Sequence, residues 1–402
     1  MARKKVIYII SPRSAYSWNP GRKISSIIAL WSKKYELTTF FGGDLINPNV
    51  NKSVQYGNAN IHKKSYNNYK ILEPLVHTYS EIKDIIHNIK SYIFLSKKYH
   101  AENFSLVWER SSRLHFAGLL YAKKYNLPYV LEWKDNLINY KYSLLKPLAL
   151  YFEDYKCKKA DKIVVESYVL KDMLSNMGYA PEKIFVAHNA ADSKVFKRNE
   201  IEGKTYRTKA NIPLSSTVVG YLGSYAFYHN ALLLVKAAKI IRDKNLNLPV
   251  TFLMVGDGLD YTKCKTFAEE NSLKDDFIFF EPPVKKEEVP NILSAVDIAV
   301  LPGSTTIISP IKILEYMANG AAIVVPDYKC NSEIVNEDNG LLFKPNDEFD
   351  LAEKILELLQ NKELALNLST NAICNATVKY SWENTWGLTL DNILDTTYEN
   401  DK

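Results

Sequence analysis

SPIKILEYMANGAAIVVPD, residues 309–327, is the stretch that predicts how this chain folds. Ser309 is a typical helix N-cap, Pro310 suits the first helical position, and Gly320 suits the left-handed residue that ends a helix. The apolar run DIAVLP (297–302) precedes the helix and AAIVVP follows it, and continuous apolar runs are typical of strands buried on both faces. The stretch therefore predicts a strand, a helix and a second parallel strand of one open sheet.

Two charged side chains stand near the front of this predicted helix. Ile311, Leu314 and Ala318 recur at helical spacing and predict the buried face, whereas Lys312 and Glu315 share another face. A helix that follows a parallel strand begins at the carboxyl edge of the sheet, where amide N–H groups attract phosphate. Two interpretations remain open, an anion-binding site or a solvated ion pair that contributes only about 0.2–0.5 kcal/mol.

The composition is that of a globular protein with more than one domain. Its 402 residues are 47% hydrophobic and 24% charged. Residues 1–200 carry 32 Lys and Arg against 17 Asp and Glu, a net charge of +15, whereas the remaining residues carry 19 against 28. The basic half favours an anionic partner: nucleic acid, a negatively charged membrane surface or a phosphorylated substrate. A lysine-rich solvated surface explains the same asymmetry.

Cysteines and apolar runs bear on the location of the protein. The four cysteines are scattered, without the spacing of a zinc site or the density of a disulfide framework, so we expect reduced thiols and a cytoplasmic protein. The first residues, MARKKVIYIISPRS, contain an apolar run that is too short for a signal peptide, and this run predicts a first core strand. No run approaches the roughly 18 apolar residues that a membrane span needs.

Strand and helix patterns alternate along nearly the whole chain. This alternation predicts an α/β protein with two tandem Rossmann-like, doubly wound domains that face a central cleft. We expect the first domain over residues 1–195, a charged linker over 196–211 and the second domain over 212–378. The predicted strands are KKVIYIIS, YELTTFF, SLVWE, LPYVLE and DKIVVES in the first half, and STVVGYLG, PVTFLMVG, FIFFE, DIAVLP and AAIVVP in the second.

Residues 45–104 depart from this alternation. They are rich in Asn, Lys and Tyr and contain a helical pattern near 80–99, with five isoleucines at helical spacing and lysines around them. We expect this helix to pack its isoleucines in the core, and a basic amphipathic helix lying on a membrane is the alternative. The isoleucines are Ile82, Ile85, Ile86, Ile89 and Ile93.

Several blocks, taken in order, resemble the retaining glycosyltransferases of family 4, which have the GT-B fold. The blocks include GYLGS (220–224), LMVGDG (253–258), SPIKILEYMANG (309–320) and NGLLF (339–343). ADKIVVES, EKIFVAHNAADSKVF and EIV are similar to further blocks of the family. YSWENTWGLTLDNIL resembles the family's last helix, which implies that residues 379–402 cross back to the first domain.

The resemblance implies a sugar-nucleotide donor whose diphosphate binds the second domain. The helix that starts at Ser309, Pro310 and Ile311 would supply N–H groups, Lys312 a positive charge, and Glu315 a carboxylate that accepts hydrogen bonds from the ribose hydroxyls. The polar face of the opening stretch would then be its donor-binding face.

Loops at other strand ends complete the implied donor site. Gly223 would let the backbone approach the phosphates, while Ser224 and His229 stand where the family often has Arg and Lys. Gly256 would form a turn after a strand, and Val284 would lie near the nucleobase. The family pairs two glutamates with seven residues between them, yet Ile307, eight positions before Glu315, stands where the first is expected. This departure leaves the donor sugar open.

In the first domain, residues at strand ends are candidates for contacts with sugar or phosphate. Gly21 permits close backbone approach near a helix start, and Arg110 and either Glu132 or Asp135 stand at the carboxyl ends of strands. His115 is expected to be structural. No nucleophile with an adjacent base is visible, in accord with the front-face attack that the resemblance implies, and neither a metal nor another cofactor is expected.

These inferences predict a metal-independent retaining hexosyltransferase. It would move a sugar to a glycan acceptor on a lipid carrier, in cell-surface polysaccharide biosynthesis, on the inner face of the cell membrane, with its basic half toward anionic lipid. A noncatalytic GT-B scaffold subunit is the alternative, since the first glutamate is missing. Nucleic acid is disfavoured as a partner because no recognition motif is present.

Overall fold

A computed structural model describes residues 3–11, 20–42, 73–100, 102–134, 143–273, 276–308 and 310–399. Ser309 and Asp135, both predicted to be site residues, lie outside these ranges, as does much of the segment 45–104. The chain divides into two compact units, which are described separately. Unit 1 comprises Met1–Ala187 with Trp386–Lys402, and unit 2 comprises His188–Thr385.

Unit 1 contains a parallel sheet with the strand order β2-β1-β3-β4-β5-β6. The strands fold where the sequence has short apolar runs; in β1, for example, every residue from Val6 to Ile10 is fully buried. The strands are β1 (Lys5–Ile10), β2 (Glu36–Phe41), β3 (Leu106–Arg110), β4 (Tyr129–Glu132), β5 (Lys162–Val165) and β6 (Ile184–Val186). The helices of this part of the chain are α1 (Pro20–Lys34), α2 (Glu73–Lys98), α3 (Ala117–Tyr125), α4 (Lys146–Lys159) and α5 (Tyr168–Asn176).

Unit 2 contains a second parallel sheet, with the order β12-β11-β10-β7-β8-β9. Its strands are β7 (Thr217–Leu222), β8 (Val250–Val255), β9 (Ile278–Glu281), β10 (Ile298–Val300), β11 (Ala322–Pro326) and β12 (Leu341–Phe343). Its helices are α6 (Glu200–Lys209), α7 (Ala231–Asp243), α8 (Tyr261–Glu270), α9 (Val289–Leu293), α10 (Ile311–Asn319), α11 (Lys329–Ser332), α12 (Glu348–Gln360) and α13 (Lys362–Thr377).

The predicted fold class is confirmed, because both sheets are parallel and doubly wound. In each sheet the chain adds strands in one direction and then returns to the other side of its first strand, which creates a topological switch point. The switch point of unit 2 lies between the neighbours β7 and β10, where Ile298 pairs with Val219 and Ala299 with Gly220. Ligands of open α/β sheets bind at the carboxyl ends of such strands.

Residues 196–211, predicted to be a linker, form an integral part of unit 2. Helix α6 lies so close to the neighbouring chain that a Cβ on Gly203 would stand 2.4 Å from the carbonyl oxygen of Ser294. Arg198 and Arg207 both bind the carboxylate of Asp297, at 3.0 and 2.7 Å. Two of the charges that suggested a solvated linker, those of Arg198 and Arg207, therefore anchor this segment beside β10.

The C-terminal helix α14 (Leu388–Glu399) belongs to unit 1. The indole N–H of Trp31 donates to the carbonyl oxygen of Trp386 at 3.2 Å, and the Lys34 ammonium lies 2.6 Å from the Asp391 carboxylate. Both contacts join α1 to the end of the chain.

Helix α2 packs in the opposite sense to the predicted one. Its isoleucines at 82, 86, 89 and 93 are about half exposed, whereas Glu81, Asn88 and Ser91 are buried. Ile85 is partly buried against Leu114 and Ala149. The expectation of an isoleucine face in the core was therefore wrong for four of the five isoleucines. Among the described residues, no helix combines the length and the apolar character that crossing a membrane requires.

Candidate functional site

The candidate site lies in unit 2, at the carboxyl ends of β7 and β10. Helix α10 follows β10, and Gly320 ends it with a φ of +81°, in the left-handed region expected from the sequence. The helix begins at Ile311, one residue later than predicted, and Pro310 is its N-cap. Its first amide N–H groups therefore lie near the switch point, and the first turn of a helix leaves such groups without intrahelical acceptors.

Gly223 and Lys312 meet at this edge of the sheet. A Cβ built on Gly223 would stand 2.1 Å from the Lys312 ammonium nitrogen and 3.0 Å from the Tyr221 hydroxyl. The Tyr221 hydroxyl in turn donates to the carbonyl oxygen of Ser224 at 2.7 Å, which shapes the exposed turn after β7. The absence of a side chain at position 223 is thus what allows the lysine to reach the end of β7.

Lys312 is a partly buried cation with few polar contacts among the described residues. Burial lowers its pKa to about 8, although the Glu315 carboxylate acts in the opposite direction. The ammonium lies 5.3 Å from the centre of the Tyr221 ring and 3.3 Å from Nε2 of His229. A cation held in this way favours an anionic ligand, because the ligand's charge would compensate for the hydration that the ammonium loses on burial.

His229 is placed beside Lys312, but as a neutral side chain. Burial and then the charge of Lys312 lower its pKa to about 4. Its Nδ1 lies 3.4 Å from the carbonyl oxygen of Gly303, an arrangement in which Nδ1 carries the proton and Nε2 accepts from the lysine. At a position where the family often has a cation, the structure therefore has a hydrogen-bond acceptor.

Tyr316 connects α10 to the sheet. The Tyr316 hydroxyl contacts both the N–H and the carbonyl oxygen of Leu222, each at 3.2 Å. The neighbouring Glu315 is only 7% exposed, so its carboxylate does not lie on the solvated surface. The solvated ion pair that the sequence left open is thus excluded for this pair of residues.

Two further glycines support the turn after β7. Gly256 has a φ of +134°, and a Cβ there would stand 1.9 Å from the carbonyl oxygen of Gly223. The N–H of Gly223 donates to Val255 at 3.0 Å, which fixes this turn to the end of β8. Gly303, after β10, packs against the backbone of Tyr228. The turn predicted at Gly256 therefore packs against Gly223 and supports the turn after β7.

Val284 follows β9, the outer strand on this side of the sheet, and is partly buried against the core of unit 2. Its predicted place near a nucleobase stays a prediction. Among the residues that the structure describes, no three His, Cys, Asp or Glu side chains are grouped so that they could hold a metal ion. In the described part of the site, positive charge comes from Lys312 and from the N-terminus of α10.

Unit 1 contains a second buried group of charges, at the ends of β3 and β4. Arg110 is fully buried and forms an ion pair with Glu132, which also accepts hydrogen bonds from Tyr8 at 2.8 Å and Trp108 at 3.2 Å. Lys23 lies 3.4 Å from Glu132 as well. The guanidinium predicted to be catalytic is therefore engaged inside unit 1, and its catalytic role stays a prediction.

Lys134 and Glu166 extend this group. Burial, followed by the charges of Arg110 and Lys23, lowers the pKa of Lys134 to about 8. The Lys23 ammonium also lies 2.5 Å from the Glu166 carboxylate. Sequence analysis missed Lys134 and Glu166, and the signal available was a charged residue at or just beyond the end of a predicted strand. Gly21 lies in the first turn of α1. The ring of His115, expected to be structural, is buried beside Glu109, with Nδ1 at 3.0 Å.

Comparison with known families and proteins identifies the chain. Residues 203–374 match the family model "Glycosyl transferases group 1", and residues 57–195 match "Glycosyltransferase Family 4". The chain is 26% identical over 285 residues to the UDP-Gal:α-D-GlcNAc-diphosphoundecaprenol α-1,3-galactosyltransferase of Escherichia coli, covering 70% of this chain and 73% of that protein. It is 25% identical over 305 residues to the N,N'-diacetylbacillosaminyl-diphospho-undecaprenol α-1,3-N-acetylgalactosaminyltransferase of Campylobacter jejuni, covering 72% and 76%.

Solved structures with the same fold cover the whole chain. Sucrose-phosphate synthase from Thermosynechococcus elongatus matches with a TM-score of 0.71 and 15% identity, over 99% of this chain and 100% of that one. HepE from Anabaena, in complex with UDP, matches with a TM-score of 0.66 and 15% identity, over 99% and 100%. The family models, the curated relatives and the fold agree: the chain is a glycosyltransferase that belongs to family 4 and has the GT-B fold.

Proposed function

We propose that the protein transfers a hexose-type sugar, with retention of configuration and without a metal, from a uridine diphosphate sugar to a glycan on a diphosphopolyprenol carrier. The observation that carries this proposal is the convergence of the Lys312 ammonium, Gly223 and the first turn of α10 at the switch point of unit 2. A partly buried cation beside a helix N-terminus suits a diphosphate. The uridine base is supported by the name of the E. coli relative, which is a UDP-Gal galactosyltransferase.

The proposed chemistry needs charge stabilisation more than a protein nucleophile. The acceptor hydroxyl attacks C1 of the donor sugar on the face from which the nucleotide leaves, and the bond from C1 to the β-phosphate oxygen breaks. The electron pair of that bond goes to the phosphate, which takes the proton of the acceptor hydroxyl. Lys312 and the first amides of α10 stabilise the negative charge on the departing diphosphate. The Glu315 carboxylate accepts hydrogen bonds from the ribose hydroxyls and so orients the donor.

The acceptor class rests on the names of two relatives. Both the E. coli and the C. jejuni proteins are named for acceptors linked to diphosphoundecaprenol. A carrier of this kind resides in a membrane, so we place the protein on the inner face of the cell membrane, in the assembly of a cell-surface polysaccharide. The net charge of +15 over residues 1–200 favours attraction to anionic lipid at that surface.

Binding of nucleotide sugars tests the donor site. We expect thermal stabilisation by a UDP-sugar and not by GDP- or ADP-sugars, of about 2.7 kcal/mol at a ligand concentration one hundred times the dissociation constant. Lys312→Ala and Glu315→Gln should weaken this stabilisation. Lys236→Ala is a matched control, since Lys236 is a unit 2 lysine that pairs with Glu348 at 3.4 Å. Equal stabilisation of all variants by UDP-sugar would contradict the assignment of the site.

Turnover separates the proposed enzyme from a scaffold subunit, the alternative suggested by Ile307 in place of the first glutamate. A UDP-sugar and a short-chain, water-soluble diphosphate acceptor carrying one sugar should give a product with the donor's anomeric configuration, in the presence of a chelator. Donor binding without any product over a panel of such acceptors would favour the scaffold. An inverted product, or activity lost to the chelator, would refute the proposed mechanism.

A further inference from the structure

Helix α2 turns its apolar face outward. Between 46% and 61% of the surface of seven large apolar side chains along this 26-residue helix is exposed. At 100° per residue, six of the seven fall within an arc of about 80°, and the stripe runs the length of a helix of about 39 Å. The outward stripe consists of Leu75, Val76, Tyr79, Ile82, Ile86, Ile89 and Ile93.

The inward face of α2 is largely polar between residues 81 and 91, although Leu95 is fully buried farther along, and it is fixed by specific contacts. Glu81 and Asp84 bind the buried Arg113, at 3.3 Å and 2.8 Å. The side-chain oxygen of Asn88 accepts a hydrogen bond from the backbone N–H of Phe116 at 2.7 Å. These contacts determine which way the helix faces, because turning the isoleucines inward would bury them against an unpaired guanidinium. The outward direction of the stripe is therefore built into the packing of unit 1.

The charged residues of α2 are also divided between its two faces, with lysines on the outward side and acids on the inward side. Lys83, Lys90, Lys97 and Lys98 are exposed, and the first three lie along one edge of the outward stripe at 100° per residue. The only acids between residues 74 and 98 are Glu81 and Asp84, which face Arg113. The exposed side of this segment thus combines apolar and basic side chains and lacks acidic ones. The Lys83 ammonium lies 4.3 Å from the centre of the Tyr79 ring.

A second exposed apolar stretch lies near the start of α4. Leu144, Leu148 and Tyr151 are exposed and recur at helical spacing. The Ser143 hydroxyl donates to Glu81, which ties this stretch to α2. Lys158 and Lys159 at the far end of α4 are exposed as well. Apolar and basic exposure therefore recurs on the element beside α2.

We infer that the outward stripe of α2 docks unit 1 on the surface of a bilayer that contains anionic lipid, with the isoleucines among the acyl chains and the lysines at the headgroups. A long helix with one apolar face and a basic edge is the geometry of interfacial membrane binding. An anionic surface is the occupant that the charges favour, because each lysine near it contributes attraction and no exposed acid of this segment opposes it. The biological role of this docking rests on the proposed lipid-linked acceptor. The evidence for it, the exposed apolar stripe and its lysines, does not depend on that proposal.

Vesicle sedimentation of the full chain tests the inference. We expect binding to vesicles of phosphatidylethanolamine with phosphatidylglycerol, weaker binding to phosphatidylcholine alone, and weaker binding at high salt. Ile86→Glu with Ile89→Glu should raise the lipid concentration for half-maximal binding by about tenfold or more. Lys83→Gln with Lys90→Gln should lower the affinity for anionic vesicles by about fivefold per lysine and leave binding to phosphatidylcholine unchanged.

The control is a second pair of exposed apolar residues on helices of unit 2. Ile201 on α6 is 77% exposed and Leu366 on α13 is 66% exposed, so Ile201→Glu with Leu366→Glu adds the same charges elsewhere. This pair should bind vesicles as the unsubstituted chain does. Vesicle binding that survives Ile86→Glu with Ile89→Glu would overturn the inference. So would a dimer in sedimentation velocity that these substitutions dissociate, without vesicle binding.

A separate readout distinguishes this inference from the proposed function. Transfer to the short-chain soluble acceptor does not require a membrane, so Ile86→Glu with Ile89→Glu should leave that rate unchanged. Loss of vesicle binding with normal soluble transfer supports the docking surface. Absence of transfer in every variant, with vesicle binding that depends on the stripe, would instead refute the proposed function and retain the docking surface.

Discussion

Replacing Gly223 with alanine should disable the candidate donor site while leaving the fold intact. The added Cβ would stand 2.1 Å from the Lys312 ammonium, and ordinary contact begins at 3.4 Å, so the ammonium must retreat by the difference. The atom that yields is the end of a flexible side chain, which moves at little cost. The φ of Gly223 does not lie in the left-handed region, so alanine fits the backbone there.

The expected magnitudes follow from this geometry. A hydrogen bond to a charged group contributes about 1.5–3 kcal/mol, so displacing Lys312 should weaken nucleotide-sugar binding by about 10- to 150-fold. Gly to Ala at a compatible position changes the free energy of unfolding by no more than about 1 kcal/mol. Isothermal titration calorimetry with UDP-sugar and denaturant unfolding measure the two quantities.

A double-mutant cycle tests the cause. If Gly223→Ala acts by moving Lys312, the double variant with Lys312→Ala should bind no more weakly than Lys312→Ala alone. Additive losses would show that the two residues act independently and would refute the reasoning. Unchanged affinity of Gly223→Ala would refute it as well, because the ammonium would then not be needed where the structure places it.

Three further predictions follow from named contacts. Affinity for a nucleotide sugar should be constant below the Lys312 pKa of about 8 and fall at most tenfold per pH unit above it, because the diphosphate binds the protonated lysine. Calorimetry over a series of pH values measures this dependence. Lys312→Arg should remove the decrease in affinity above about pH 8. Burial alone would raise the pKa of Glu166, but Lys23, Lys134 and Arg110 hold it well below 4.5, so its contribution to stability is present above about pH 4.5 and is lost on acidification. Denaturant unfolding of Glu166→Gln should therefore depend less on pH in that range, and an unchanged dependence would contradict this. Asp297→Asn should destabilise the protein by about 1–2 kcal/mol, because the partly exposed carboxylate binds two arginines; an unchanged unfolding midpoint would show that they do not anchor residues 196–211.

Strands and the helix at residues 309–320 were predictable because their signals are local. A short apolar run, such as those of β1, β8 or β11, is buried on both faces wherever it lies in a parallel sheet. The end of α10 was predictable because it requires only a left-handed backbone conformation at Gly320, which glycine itself provides. The contact between Gly223 and Lys312 was predictable only through the resemblance, since the two residues stand on different elements.

Helix α2 shows what a pattern cannot decide. Isoleucines at helical spacing predict one apolar face, and that face is the same whether a core or a membrane covers it. The deciding residues are the polar ones, Glu81, Asp84 and Asn88, because they bind Arg113 and the backbone of Phe116. These partners come from a different part of the chain, so the direction of the helix follows from tertiary contacts that periodicity does not contain.

The charge groups at the strand ends of the two units differ in a way that supports the proposed anion site in unit 2. In unit 1 the Lys23 ammonium and the Arg110 guanidinium each form ion pairs with carboxylates inside the unit. Lys312 contacts the neutral ring nitrogen of His229 and, among the described residues, has no carboxylate within ion-pair distance. Burial disfavours the charge of such an ammonium, although the nearby Glu315 carboxylate acts in the opposite direction, so an anionic ligand would stabilise it further. The strand ends of unit 1 thus hold an internal ion-pair network, and those of unit 2 hold a lysine whose charge supports the proposed diphosphate site.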